Sequence, residues 1–200
     1  MTRIIAGRAG SLVLEVPGSG TRPTSDRVRE SLFGALESAD LLRGAAVLDL
    51  YAGSGALGLE AASRGAASVD LVEKAGAAAA VVRRNVAKVA KALGRDAALR
   101  VHAMSARAYL RGAVGPFDLV FLDPPYDIGE GELAAALESL TPKLSPAAAV
   151  IVERASRSAR PSLPDALVPV RERRYGDTVL WWLGVVGSDA DQPAAESQSR

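Results

Sequence analysis

The feature that most restricts the fold of this chain is a series of short, nearly continuous apolar segments separated by stretches with helical character. Ala46–Tyr51, Ser68–Glu73, Leu99–His102, Phe117–Asp123 and Ala147–Glu153 are the apolar segments. Strands this apolar on both faces belong inside a parallel sheet covered by helices on each side. Helices are expected after the glycine turn that follows Tyr51 to about Arg64, then to about Leu93, near Ala106–Arg111, and from about Glu130 to Leu140. Arg171–Tyr175 and Thr178–Leu183, joined at Gly176-Asp177, read as a closing hairpin, so at least one antiparallel strand ends the sheet.

Ahead of the sheet, Arg3–Gly7 and Leu12–Val16 flank the turn-like Arg8-Ala9-Gly10-Ser11 and predict a small hairpin. Thr24 or Ser25 caps a helix with Asp26 in its first turn. Val28, Leu32 and Leu36 give that helix one apolar stripe. The expected organisation is therefore a hairpin and helix over 1–43, an α/β domain over 44–186, and a polar, acidic, disordered tail over 187–200.

Composition narrows the chemistry. Two hundred residues, 48% hydrophobic and 24% charged, suit one globular domain with a small appendage. The longest apolar stretch, near Ala75–Val82, falls far short of the roughly 18 residues of a membrane span. Arg3 and Arg8 bracket too short an apolar run for a secretory leader, so a cytoplasmic protein is expected. With no cysteine there is no disulfide framework, thiolate zinc site or cysteine nucleophile. A net charge of +1 does not by itself announce a nucleic-acid partner. Through residue 29, however, five arginines (3, 8, 22, 27 and 29) face only Glu15 and Asp26.

Val47–Gly58 carries the first chemical signal: a strand enters a glycine turn that opens a helix. Gly53-x-Gly55-x-x-Gly58 matches the dinucleotide fingerprint, and Glu73 stands about 20 residues on, where a ribose-binding acid belongs. A turn kept only for packing is the plain alternative. The pattern points to a ribose-bearing ligand without choosing between NAD and S-adenosylmethionine. Asp49 favours the latter, because a carboxylate in an apolar strand needs a partner. A ligand with an ammonium and a sulfonium supplies one, whereas a diphosphate is repelled. The competing reading makes Asp49 a structural acid bonded to backbone N–H groups of the turn.

Asp123-Pro124-Pro125-Tyr126 ends the fourth apolar strand, at the sheet edge where ligands bind. It suits an exocyclic amine on a base, a poor nucleophile whose lone pair is drawn into the ring. Asp123 accepts one N–H and the carbonyl of Pro124 the other, on a backbone stiffened by two prolines. Tyr126 offers a stacking face worth about 1–3 kcal/mol.

On these residues the chain resembles the class I S-adenosylmethionine-dependent methyltransferases, through Asp49–Glu60 and Asp123–Tyr126. It more closely resembles the RsmD family, bacterial enzymes that methylate N2 of one guanine in 16S ribosomal RNA. Three further segments carry that likeness: Arg3–Gly7, the run from Arg22 to Phe33, and the run from Arg173 to Leu180. The resemblance spans about Thr2 to Leu183. It implies a Rossmann-like, mostly parallel sheet with a carboxyl-terminal antiparallel hairpin and an amino-terminal hairpin extension. Asp49, Tyr51, Ala52, Gly53, Gly55 and Asp123 are implied to hold the cofactor, with Glu73 on its ribose and Ser105-Ala106 beside its adenine. An Asp or Asn commonly stands where this chain has Ser105. Arg3, Arg22, Arg27 and Arg29 are implied to touch RNA, although the last two point about 200° apart on a helix, so at least one packs towards the cofactor cleft or pairs with Glu30. The implied partner is 16S ribosomal RNA, in the small subunit or an assembly intermediate, acted on by a monomer without metal.

Rival readings are a DNA adenine-N6 or other nucleic-acid amino-methyltransferase, an NAD-dependent oxidoreductase, and an inactive ribosome-assembly factor. Cytosine-C5 chemistry is excluded, since it needs a cysteine nucleophile. His102 reads as a surface or packing residue, and Trp181 and Trp182 face opposite sides of a strand. Glu153-Arg154 reads as either a cleft-facing or a surface pair.

Overall fold

A computed structural model of the protein describes residues 2–18, 25–94, 98–125 and 128–187. The short strands β1 (Thr2–Arg3) and β2 (Val13–Leu14) precede α1 (Asp26–Ser38). Then strands and helices alternate: β3 (Ala46–Asp49), α2 (Ala56–Ser63), β4 (Ser68–Val72), α3 (Gly76–Leu93), β5 (Ala98–His102), α4 (Ala106–Gly112), β6 (Phe117–Leu122) and α5 (Glu130–Leu140). The chain closes with β7 (Leu144–Ala155), β8 (Leu167–Tyr175) and β9 (Thr178–Val185). Seven strands form one sheet in the order β5-β4-β3-β6-β7-β9-β8. The pairings from β5 to β7 are parallel, and β9 runs antiparallel between β7 and β8. This is the expected architecture. Strand order reverses between β3 and β6, which opens a crevice at their carboxyl ends.

Two apolar clusters fill the two sides. Val47, Leu119, Phe121, Ile151 and Leu180 pack with Leu32, Phe33 and Leu36 of α1 and with residues of α2 and α3. Leu48, Val120, Leu122 and Val152 pack with Leu110 of α4 and with Leu133, Leu137 and Leu140 of α5. Trp182 joins the first cluster and Trp181 the second, as strand alternation requires. The amino-terminal segment shares the first cluster through Ile4 and Leu14.

The amino-terminal hairpin is shorter than Arg3–Gly7 and Leu12–Val16 predict, and the reason is a carboxylate. Glu60 of α2 is fully buried and accepts the backbone N–H groups of Ile5 (2.7 Å) and Ala6 (3.0 Å), which draws them away from the ladder. Ser63, three residues on, takes the N–H of Arg8 on its carbonyl and that of Ala9 on its hydroxyl. A Cβ at Gly7 would lie 2.1 Å from the Ser63 carbonyl oxygen, so only glycine lets the segment sit this close.

Two arginines complete the arrangement. Arg64 bonds Glu60 and Glu37, both at 2.7 Å, and lies over the Phe33 ring. Arg29, 1% exposed, donates to Thr2 Oγ1, the Arg3 carbonyl and Asp26, with Glu60 4.0 Å away. This corrects the expectation that Arg29 touches RNA. It packs against the amino-terminal strand rather than towards the cofactor cleft, and its acidic partner is Asp26 rather than Glu30. Its charge serves the chain itself, because a buried Glu60 without nearby cations would be costly.

Other differences are local. β8 begins at Leu167 rather than Arg171: as a sheet edge it tolerates Pro169, with a register shift before Arg171. Of the two expected caps, Ser25 caps α1, accepting the Val28 N–H, and Thr24 lies outside the described residues. Of the expected tail, only Gly187 lies among the described residues.

Glu60→Gln is expected to destabilise the protein by about 3–5 kcal/mol, since it leaves two arginines beside a neutral amide. Urea unfolding checks this; a midpoint equal to wild type would show that the carboxylate charge is dispensable.

Candidate active site

The crevice is built from the ends of β3, β4 and β6. Asp49 lies opposite Phe121 in register. The Leu50 N–H bonds the Phe121 carbonyl and the Ala52 N–H bonds that of Val72, both at 3.0 Å. The chain is therefore held from both sides until it enters the turn. Gly53 and Gly55 then take left-handed φ values of +55° and +81°.

The three fingerprint glycines do different work. A Cβ at Gly58 would lie 2.9 Å from Val69 Cγ1 and 3.3 Å from Asp49 Cβ. One at Gly55 would press on Leu71 and Leu59 at 3.1 and 3.2 Å. Packing explains both. At Gly53 a Cβ would meet nothing within 4 Å. That glycine borders open space, which is the room a ligand needs to approach the backbone.

Asp49 is 1% exposed. One carboxylate oxygen, Oδ2, accepts the Gly58 N–H at 3.0 Å, so the structural reading of this acid is half satisfied. The other, Oδ1, is buried and has no hydrogen-bond partner among the described residues. Burial pushes the carboxyl up to about 7; the Gly58 bond opposes the shift and the Glu73 charge adds to it. A cation brought to Oδ1 would relieve the deficit.

Glu73 follows β4 and ties the turn in place, accepting the Gly53 N–H (3.0 Å) and the Ala75 N–H (2.7 Å). Each carboxylate oxygen keeps further acceptor capacity, as binding a diol requires. Burial, with Glu132 nearby, pushes the Tyr51 hydroxyl up to about 12, so it stays protonated and can donate. Ser105 caps α4, its hydroxyl accepting the Ala108 N–H at 3.2 Å, and Ala106 beside it is buried. The serine oxygen is thus already engaged by its own helix.

On the other side of Asp49, β6 ends at Leu122 and Asp123 follows, half-buried. Pro124 is buried, and the Pro125 carbonyl accepts the Ile128 N–H at 3.0 Å. Tyr126 and Arg22 lie outside the described residues. Arg154, at the end of β7, is 6% exposed and pairs with Glu130 at the start of α5. Glu153 is buried as well, so the surface-pair reading of Glu153-Arg154 is corrected. The arginine instead clasps the helix that follows the Asp-Pro-Pro turn. Nothing in the local sequence signals a contact across 24 residues.

Arg3 and Arg27 are exposed on the amino-terminal segment, Arg3 with Asp26 at 3.8 Å. His102 packs its ring, tilted, against Tyr109 and bonds Asp70 at 2.6 Å, and its carbonyl accepts the Glu73 N–H. Among the described residues no cluster of His, Cys, Asp or Glu is arranged to hold a metal ion. No described helix is long and apolar enough to cross a membrane.

The family model described as Conserved hypothetical protein 95 matches residues 2–184. The chain is 38% identical over 193 residues to Ribosomal RNA small subunit methyltransferase D of Escherichia coli strain K12, covering 94% of each. A solved Escherichia coli structure, described as a candidate methyltransferase, yhhF, superposes with a TM-score of 0.79 at 34% identity, covering 92% of this chain and 97% of that one. A solved structure of a Thermus thermophilus hypothetical protein superposes with a TM-score of 0.77 at 31% identity, covering 92% and 100%.

The Asp49 carboxyl sets a pH dependence in the free protein. Its folded value of about 7 exceeds the ordinary 3.8, so the folded state holds the proton more tightly. Its contribution to stability is full below about pH 4 and is lost as pH rises towards 7. Asp49→Asn keeps an acceptor for Gly58 and removes the titration. The variant should match or exceed wild-type stability at pH 8 and flatten the profile between pH 4 and 7. Parallel profiles from urea unfolding would contradict this.

Proposed function

The chain belongs to the family described as Conserved hypothetical protein 95, the RsmD family of small-subunit rRNA methyltransferases, and from that premise we propose how its own residues perform the reaction. The reaction is transfer of a methyl group from S-adenosylmethionine to the exocyclic N2 of a guanine in 16S ribosomal RNA, during small-subunit maturation in the cytoplasm. The observation that carries the proposal is the juxtaposition of two loops: the glycine turn after Asp49 and the Asp-Pro-Pro turn after Leu122 leave neighbouring strands at the same sheet edge.

The residues fit the cofactor. Asp49 Oδ1 faces no partner and suits the ammonium of a methionine end, and Gly53 leaves the backbone open to close approach. Tyr51, Ala52 and Gly55 complete that wall. Glu73 suits the ribose hydroxyls, with Ser105 and Ala106 beside the adenine. When bound, the cofactor supplies an electrophilic methyl on a sulfonium.

The remaining work is done by the chain. Asp123 accepts one hydrogen of the guanine amine and the Pro124 carbonyl the other, which turns the nitrogen lone pair towards the methyl. The prolines keep these two acceptors fixed. No strong base is needed, because the nitrogen sheds its proton during or after attack, with Asp123 as the acceptor beside it. Tyr126 stacks the base. Orientation of two reactants is worth about 7–11 kcal/mol. Turning the guanine out of its stack costs a few kcal/mol, which phosphate contacts from Arg3, Arg22 and Arg27 help offset. The protein acts as a monomer without metal.

Incubation with S-adenosylmethionine and 30S particles lacking the modification, followed by nucleoside mapping by mass spectrometry, should place one methyl on a guanine N2. Asp123→Ala should fold normally and lose about 10²–10³ in methylation rate, by analogy with removal of one preorganised polar contact. Near wild-type turnover would put the acceptor site elsewhere.

A further inference from the structure

The edge strand β8 carries a row of arginines for which neither the cofactor site nor the amino-terminal segment accounts. We propose that Arg171 and Arg173 extend the phosphate contacts of Arg27 of α1 into a continuous surface that holds the RNA strand flanking the target base. The proposal rests on the rRNA methyltransferase reading and adds the surface by which the substrate is held.

Register fixes where these residues stand. Arg173 lies opposite Leu180 and Arg171 opposite Trp182, and directly paired residues share a face of the sheet. Leu180 and Trp182 belong to the cluster on the α1 side, so both arginines stand on that side. Tyr175, two residues beyond Arg173, bonds Ser31 of α1 at 2.7 Å through its hydroxyl, which fixes the helix against the end of β8. Arg27 precedes Ser31 by one turn and is exposed on the same side of the helix. Among the described residues, Arg27, Arg171 and Arg173 have no ion-pair partner, whereas Arg174, on the opposite face, bonds Glu172.

The same register links this row to the reacting end of the sheet. Glu153 pairs with Leu180, and Leu180 with Arg173. Because Leu122 pairs with Val152, the row of Glu153 is also the row of Asp123. Three strand spacings, about 14 Å, separate Asp123 from Arg173, a distance that a few nucleotides span. Arg171 lies about 7 Å further along the strand, close to the step between successive phosphates. Charged side chains on an edge strand also deter pairing with other chains. That role asks nothing of the face they occupy, whereas here the unpaired pair is on the face shared with α1.

The test is binding of an unmethylated 16S rRNA transcript and of unmethylated 30S particles at several salt concentrations. Arg171→Gln combined with Arg173→Gln should weaken both at least several-fold. It should also reduce the slope of log K against log salt by about 1.4–1.8, two contacts at 0.7–0.9 each. S-adenosylmethionine affinity should not change. Replacing both by lysine should restore the slope, and Arg174→Gln should leave it alone. An unchanged slope in the double glutamine variant, with or without aggregation, overturns the proposal and leaves edge protection as the role. Weakened binding to particles alone assigns the face to a ribosomal protein and also overturns it. If wild type neither binds S-adenosylmethionine nor methylates particles, the underlying reading fails; if it does both, an unchanged slope defeats this surface alone.

Discussion

The buried carboxylate of Glu60 is the interaction on which the rest of the architecture depends. Taking one charge out of water costs several kcal/mol unless geometry and hydrogen bonds compensate. Here Ile5, Ala6 and Arg64 bond it directly, and Arg29 stands nearby. Those partners come from the amino-terminal segment, α1 and α2, so satisfying one side chain fixes three elements against one another. The same helix begins at the glycine turn, with Gly55 as its cap. The segment implied to meet RNA is therefore bonded to the helix that forms one wall of the cofactor crevice.

A contrast between two buried acids separates scaffold from site. Glu60 is surrounded by donors on both oxygens, and nothing about it invites a ligand. Asp49 has one bond and one unpartnered oxygen, next to a glycine bordered by empty space. Structures leave such deficits where function makes them good. The proton that Asp49 retains up to about pH 7 reflects the same deficit, since burial disfavours its charge until a cation arrives.

Much of this was legible in the sequence, for physical reasons that also explain what was not. Buried parallel strands are continuous apolar runs, so β3, β4 and β6 fall within two residues of their expected bounds. The glycine turn is local, and its spacing alone placed Gly53 and Gly55. The roles of Arg29 and Glu60 were hidden, because their partners are distant in sequence and their residue types usually mark surface. Arg29 sits in a basic segment and reads as an RNA contact until the buried Glu60 is seen. Arg154 was hidden in the same way, its meaning supplied by Glu130 on another element. The extent of β8 was obscured by Pro169, which only an edge strand tolerates.

The central claim is that Asp49 and the open turn at Gly53 form a site for a cationic, ribose-bearing cofactor. Calorimetric titration of S-adenosylmethionine at pH 6 and pH 7.5, in buffers of different ionisation enthalpy, tests it most directly. If the cofactor's positive charge draws the proton from Asp49, binding at pH 6 releases a proton to the buffer. Affinity should then rise towards pH 7.5 by a factor of up to about ten. Tight binding of NAD with no response to S-adenosylmethionine, or S-adenosylmethionine binding with no proton released at either pH, would contradict it.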